Sequence, residues 1–83
     1  MSNTTKVIIT AGASGIGLET AKTFSEDGAK VMICDIDEDA LYSVKQQYPT
    51  ICAEHCDVSD PTATEKFIMN AANKLGGLDA LIN

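Results

Sequence analysis

One stretch of this chain limits its possible folds more than any other: an unbroken apolar run that breaks into closely spaced glycines. Val7, Ile8 and Ile9 are continuous and β-branched, the pattern of a strand covered on both faces. Thr10 and Ala11 come next, and then three glycines (Gly12, Gly15 and Gly17) fall within six residues, with only Ala13, Ser14 and Ile16 between them. A helical pattern starts after Gly17. A strand, a loop of small residues and a helix start together build a pocket for a diphosphate. Missing side chains let the backbone approach the anion. The free N–H groups and partial positive charge of the helix start then face it.

The Gly-x-x-Gly-x-Gly spacing differs from the Gly-x-Gly-x-x-Gly order of the common dinucleotide fingerprint. Taken alone, such a cluster is equally a tight strand-to-helix turn with no ligand. The rest of the chain decides between the two. Lys6 to Thr10 reads as the first strand, and Gly15 to Asp27 as the first helix, with Leu18, Ala21 and Phe24 at three-residue steps. Gly28 stops that helix. Lys30 to Asp35 is a second strand, again continuously apolar through Val31, Met32, Ile33 and Cys34. Asp37 caps a second helix whose buried face is Leu41, Val44 and Tyr48, and Pro49 ends it. Thr50 to Cys56 is a third, less apolar strand, which suits a sheet edge. Asp60-Pro61 starts a third helix with Ala63, Phe67, Ala71 and Leu75 at four-residue steps and Ile68 and Ala72 beside them. Gly76-Gly77 terminates it. Leu78 to Ile82 is a fourth strand. Met1 to Thr5 is polar and is expected to fray.

The element order β-α-β-α-β-α-β implies a parallel sheet with right-handed crossovers. The expected fold is an α/β, Rossmann-like, doubly wound sheet of strand order 3-2-1-4, with a crevice between the first and fourth strands. Residues 1–83 form one partial dinucleotide-binding domain on this reading. The first two crossovers put their helices on one face and the third on the other. The second face then has one helix for four strands, and the fourth strand is an open edge. Isolated residues 1–83 are expected to be marginally stable or aggregation-prone.

Composition narrows the partners. The apolar fraction is 45% and the net charge −6, so the chain folds but lacks the basic face that nucleic acid or an anionic membrane requires. A diphosphate remains compatible, because amide dipoles can hold it inside an acidic protein. No apolar run is long enough to span a membrane, and no secretory signal opens the chain, so a cytoplasmic location is expected. Three cysteines, Cys34, Cys52 and Cys56, read as reduced thiols. The segment Cys52-Ala53-Glu54-His55-Cys56 matches no zinc spacing, and a strand would turn His55 away from the other three polar groups.

Asp35 closes the second strand, 18 residues beyond Gly17. A carboxylate there can accept both hydroxyls of an adenosine ribose and would repel a 2′-phosphate. Ser14 in the loop and Ile36-Asp37 after the strand supply no cation, which favours NAD over NADP. Asp57-Val58 comes after the third strand and opens at the same rim. Its carboxylate can accept from an adenine amino group, or it can serve the turn into the next helix.

Together these residues resemble the amino-terminal part of the short-chain dehydrogenase/reductase family. The family signature Thr-Gly-x-x-x-Gly-x-Gly is matched by Thr10-Ala11-Gly12-Ala13-Ser14-Gly15-Ile16-Gly17. The NAD-selecting acid corresponds to Asp35, the adenine-contacting Asp-Val pair to Asp57-Val58, and the Asn-Asn-Ala-Gly motif begins at Asn83. The resemblance implies cofactor-binding roles for Ala11, Gly12, Ser14, Gly15, Ile16, Gly17, Asp35, Ile36, Asp57, Val58 and Asn83, with NAD as cofactor. It implies hydride transfer between nicotinamide and an alcohol or carbonyl in the complete enzyme, which is expected to be a homo-oligomer.

Two departures matter. Ala11 stands where the family has its first glycine, and its methyl is costly if the position needs positive φ, unless Gly12 relieves the crowding. The family's catalytic Ser, Asn and Tyr-x-x-x-Lys lie in a portion this chain lacks. Tyr42 and Lys45 are three apart on a helix and match neither position. No catalytic or metal-binding residue is assigned, and residues 1–83 alone are expected to be inactive. Two other readings compete: a free-standing adenylate-binding module without catalysis, and a methyltransferase using S-adenosylmethionine.

Overall fold

The computed structural model describes residues 4–82. Strands and helices alternate: β1 (Lys6–Thr10), α1 (Gly15–Glu26), β2 (Lys30–Asp35), α2 (Glu38–Gln47), β3 (Ile51–His55), α3 (Pro61–Leu75) and β4 (Ala80–Ile82). The strands form one parallel sheet in the order β3-β2-β1-β4. Ile8 lies beside Met32 on one side and Leu81 on the other, and Met32 beside Cys52.

The pleat divides the apolar runs between two cores. Val7, Ile9, Val31, Ile33, Ile51 and Ala53 face α1 and α2, where Ala21, Leu41 and Val44 are buried against them. Ile8, Met32, Cys34 and Cys56 face the opposite way and pack on Phe67, Ala71 and Leu75 of α3. Helices therefore cover both faces, which is why the runs in β1 and β2 are continuously apolar rather than alternating. At the edge strand β3 the alternation returns: Ile51 and Ala53 are buried while Cys52 is exposed.

Each helix starts and stops for a local reason. The Asp37 carboxylate accepts from the Ala40 N–H at 3.1 Å and caps α2. Asp60 accepts from Thr62 and Ala63 at 3.0 and 3.3 Å and caps α3, with Pro61 in its first turn. After α1, Gly28 at φ 90° lets the Ala29 N–H return to the Phe24 carbonyl at 3.0 Å. After α3, Gly76 at φ 82° does the same for the Gly77 N–H and the Ala72 carbonyl at 2.9 Å.

Several boundaries differ from expectation. Helix α1 ends one residue early because Asp27 is its C-cap. Strand β3 loses Thr50 and Cys56 at its ends. Strand β4 begins at Ala80, not Leu78. The Asp79 carboxylate takes the Lys6 N–H at 2.8 Å, and the Asp79 N–H donates to the Lys6 carbonyl at 2.8 Å, so a side chain replaces the first rung of the ladder. Residues 1–3 of the segment expected to fray lie outside the described residues. Thr5 differs from that expectation, since its carbonyl accepts from the Lys30 N–H at 2.8 Å.

Candidate functional site

Because the strands are parallel, the ends of β1, β2 and β3 open at one rim, the usual place for a ligand in such a sheet. The loop from Ala11 to Ser14 crosses this rim between β1 and α1. Its first N–H groups turn inward to β2. The Gly12 N–H donates to the Cys34 carbonyl at 3.0 Å, and the Ala13 N–H to Asp35 Oδ2 at 3.1 Å. The Ala11 N–H faces the Cys34 sulfur.

Beyond Ser14 the situation changes. Ser14 is the N-cap of α1, yet its side chain makes no capping bond, and the first turn holds no acidic residue. The first intrahelical bond runs from the Leu18 N–H to the Ser14 carbonyl at 3.2 Å. The N–H groups of Gly15, Ile16 and Gly17 precede it and have no partner within the helix. Both α2 and α3, by contrast, have an aspartate carboxylate on their first N–H groups. Helix α1 thus presents bare donors and an uncompensated dipole to the rim.

The three glycines serve different purposes. A Cβ on Gly12 would sit 2.7 Å from the Ile33 side chain, so Gly12 lets the loop lie on β2. A Cβ on Gly17 would run into the Ala11 carbonyl oxygen and lie 3.1 Å from the Gly12 Cα, so Gly17 lets α1 approach the loop. Gly15 has φ 58° and nothing within 4 Å of an added Cβ. Its bare Cα faces open space, where a ligand could approach. Ala11 has φ 54° and is the one non-glycine residue with positive φ among the described residues. Gly12 does not relieve this, since its own φ is not positive and its missing side chain is used against Ile33.

Asp35 is half-buried at the end of β2. Oδ2 accepts from Ala13, and Oδ1 accepts from the Asp37 N–H at 3.0 Å. An ionised carboxylate has about four acceptor positions, so two bonds leave capacity for a ligand. Ile36 is next, 60% exposed, a large apolar surface at the rim. Asp57 Oδ1 accepts from both the N–H and the hydroxyl of Ser59, at 2.9 and 2.6 Å. Those bonds, the hydroxyl first, hold its carboxyl below the usual carboxylate range. The turn into α3 therefore uses Asp57 directly, while Asp60 does the capping. Val58 beside it is exposed, and so is Ile16 on α1. Asn83 lies outside the described residues.

Two residues of the loop framework, Cys34 and Ala13, are not marked as site residues by the sequence. Cys34 is buried, and burial pushes its thiol up from 9.0 to about 11, partly opposed by the Ala11 N–H. It is an inert neutral thiol at ordinary pH. Its adjacency to Asp35 is the only sequence signal for it, because register alone sets which β2 atoms meet the loop. Among the described residues no group of three or more His, Cys, Asp or Glu could hold a metal ion, and no helix is long and apolar enough to cross a membrane.

A comparison with known families places residues 5–83 on the family described as short chain dehydrogenase. The chain belongs to the short-chain dehydrogenase family. Among its relatives, the uncharacterized oxidoreductase DltE of Bacillus subtilis (strain 168) is 42% identical over 83 residues, covering 100% of this chain and 32% of that protein. A meso-2,3-butanediol dehydrogenase of Serratia marcescens is 39% identical over 79 residues, covering 93% and 32%. Among solved structures, the 3-ketoacyl-(acyl-carrier-protein) reductase from Brucella melitensis complexed with NADH superposes with a TM-score of 0.83 at 31% identity, over 93% of this chain and 32% of that one. The short-chain dehydrogenase chain thus spans about a third of the length of the curated relatives it matches.

Proposed function

We propose that residues 1–83 form the adenosine- and diphosphate-binding part of an NAD-dependent oxidoreductase acting on an alcohol or carbonyl. The observation that carries this is the contrast at the helix starts: α2 and α3 are capped by carboxylates, whereas α1 leaves its first N–H groups bare beside a glycine that faces open space. A diphosphate would rest on the N–H groups of Gly15, Ile16 and Gly17, with Ala11, Gly12 and Ser14 shaping the loop around it. The remaining acceptor capacity of Asp35 would take the ribose diol. Ile36 and Val58 would flank the adenine, and Asp57 would accept from its amino group. Asn83 would continue the rim at the end of β4.

The choice of NAD over NADP rests on charge. Asp35 would repel a 2′-phosphate, and the chain contains no arginine to receive one. The NADH in the Brucella structure belongs to that reductase, and it supports a nicotinamide cofactor here by likeness. The cofactor supplies the hydride chemistry when bound; this chain's own residues bind and orient its adenosine end. They supply no acid or base for the substrate, so the chain alone would be inactive.

Calorimetric titration with NAD, NADP and S-adenosylmethionine tests the reading. NAD binding tightest is the expected result. Tighter NADP binding would remove the selecting role from Asp35, and binding of none of the three by the folded protein would remove the nucleotide-binding reading.

A further inference from the structure

We infer that Asp35 is a positioning residue for the diphosphate cradle, and that its carboxylate does this work before any ribose arrives. The inference rests on the nucleotide-binding reading above and goes further, because it assigns the loop's shape to a side chain on another strand. The last two residues of β2 hold three consecutive N–H groups of the loop. Cys34 faces Ala11 with its sulfur and takes Gly12 with its carbonyl, and Asp35 takes Ala13 with its carboxylate. Further along, the N–H groups of Gly15, Ile16 and Gly17 are those left for an anion.

Ala13 is only 4% exposed, so its N–H has no ready access to water if the carboxylate is removed. A buried donor without a partner is costly, and the loop must shift to find one. Ala11, two residues earlier, is poorly placed to resist this shift. Ala11 holds a left-handed conformation that an alanine leaves readily once the surroundings no longer enforce it. The other oxygen of Asp35 ties the same carboxylate to the Asp37 N–H, which fixes its orientation at the start of α2. One side chain therefore links the loop to the helix that comes after β2.

The two possible roles of Asp35 give opposite signs with a ligand that has no ribose. If the carboxylate served only the ribose, its removal would leave inorganic pyrophosphate binding unchanged, or tighten it by taking away a repelling charge. If it positions the loop, removal weakens pyrophosphate binding even though the site becomes less negative.

The experiment titrates the chain with inorganic pyrophosphate, monitored through the amide resonances of Gly15, Ile16 and Gly17, and measures amide hydrogen exchange at Ala13. Asp35→Ala should weaken pyrophosphate about fivefold, the scale of one net hydrogen bond, and should abolish the protection of the Ala13 amide. Asp39→Asn, which removes the same charge from the exposed first turn of α2, should do neither. If Asp35→Ala does not fold, Asp35→Leu, which keeps the size of the side chain and accepts no hydrogen bond, should give the same signs. Unchanged or tighter pyrophosphate binding, or unaltered exchange at Ala13, would overturn the inference. A wild-type protein that melts cooperatively yet binds neither NAD nor pyrophosphate would instead sink the nucleotide reading. The exchange measurement needs no ligand and decides the positioning role in that case too.

Discussion

Replacing Ala11 with glycine should make this protein more stable, although it removes atoms and adds chain freedom. Ala11 has φ 54°, a conformation costing an L-residue about 1–2 kcal/mol. Its side chain is exposed, so the methyl contributes little burial to lose. Against the relieved strain stands the extra freedom of glycine in the unfolded chain, about 0.4–1 kcal/mol. At the centre of these ranges the difference favours Ala11→Gly by about 0.8 kcal/mol, which for a domain of this size raises Tm by about 3–6 °C. Gly15 supplies the matched control. It has φ 58° with open space around an added Cβ, so Gly15→Ala meets no clash and should cost the same net amount, about 0.8 kcal/mol, from conformation alone. Urea unfolding with a common m-value for wild type and both variants would measure the pair. A Tm for Ala11→Gly equal to or below wild type would refute the reasoning, because it would mean that the loop does not hold Ala11 in the left-handed region in solution.

The other glycines and the ionisable groups give further tests. Gly12→Ala and Gly17→Ala should each destabilise by more than Gly15→Ala, about 1–3 kcal/mol as overpacking, because their added methyls meet Ile33 and the Ala11 backbone; equal Tm values for all three variants would contradict this. Under native conditions a thiol reagent should modify Cys52 rapidly and leave Cys34 and Cys56 protected until the chain unfolds, so one equivalent reacts before denaturant and three after. The raised Cys34 thiol favours the folded state fully below its ordinary 9.0, and that contribution is lost as pH rises toward about 11. Stability should therefore fall across this window by at most about 1.4 kcal/mol per pH unit from this thiol, and Cys34→Ala should flatten the slope in a pH series of urea melts. Asp57 has the opposite sign: its depressed carboxyl favours the fold above the unfolded value and ceases to do so as pH falls through the folded one. Ser59→Ala should move the Asp57 midpoint, read by carboxyl-carbon NMR, upward toward the usual carboxylate range, while the backbone N–H at position 59 still holds it below that range.

What the sequence reveals, and what it hides, divides along a physical line. Element type is legible wherever a pattern has one cause. Short continuous apolar runs bounded by turn residues suit strands covered on both faces, and the structure places α1 and α2 over one face of β1 and β2 and α3 over the other. Asp60-Pro61 and Gly76 mark the ends of α3 because capping geometry admits few residue types there. The strand order follows the doubly wound pattern once the alternation is recognised. Boundaries are less legible at β4, where the Asp79 carboxylate substitutes for a backbone rung with Lys6, a partner 73 positions away. No local pattern encodes that bond.

The candidate site shows the same division more sharply. Glycine spacing marks the loop, but it cannot say which glycine is needed for which reason. Gly12 and Gly17 are required by close packing inside the protein, and only Gly15 leaves a bare Cα facing outward. Likewise, Asp35 can be picked from its place at a strand end, yet its bond to Ala13 depends on the register between β2 and the loop. A carboxylate read from sequence as waiting for a sugar is, in the folded chain, already bonded to the backbone that would hold the phosphates. The two ends of an adenosine diphosphate would then be recognised by parts that share one side chain. A substitution at Asp35 made to admit a 2′-phosphate would also remove the partner of the buried Ala13 N–H, so it should weaken NAD and NADP together unless a second change restores an acceptor there. Restoring NADP binding with a cation alone, while Asp35 is replaced by alanine, would show that the two functions are separable after all.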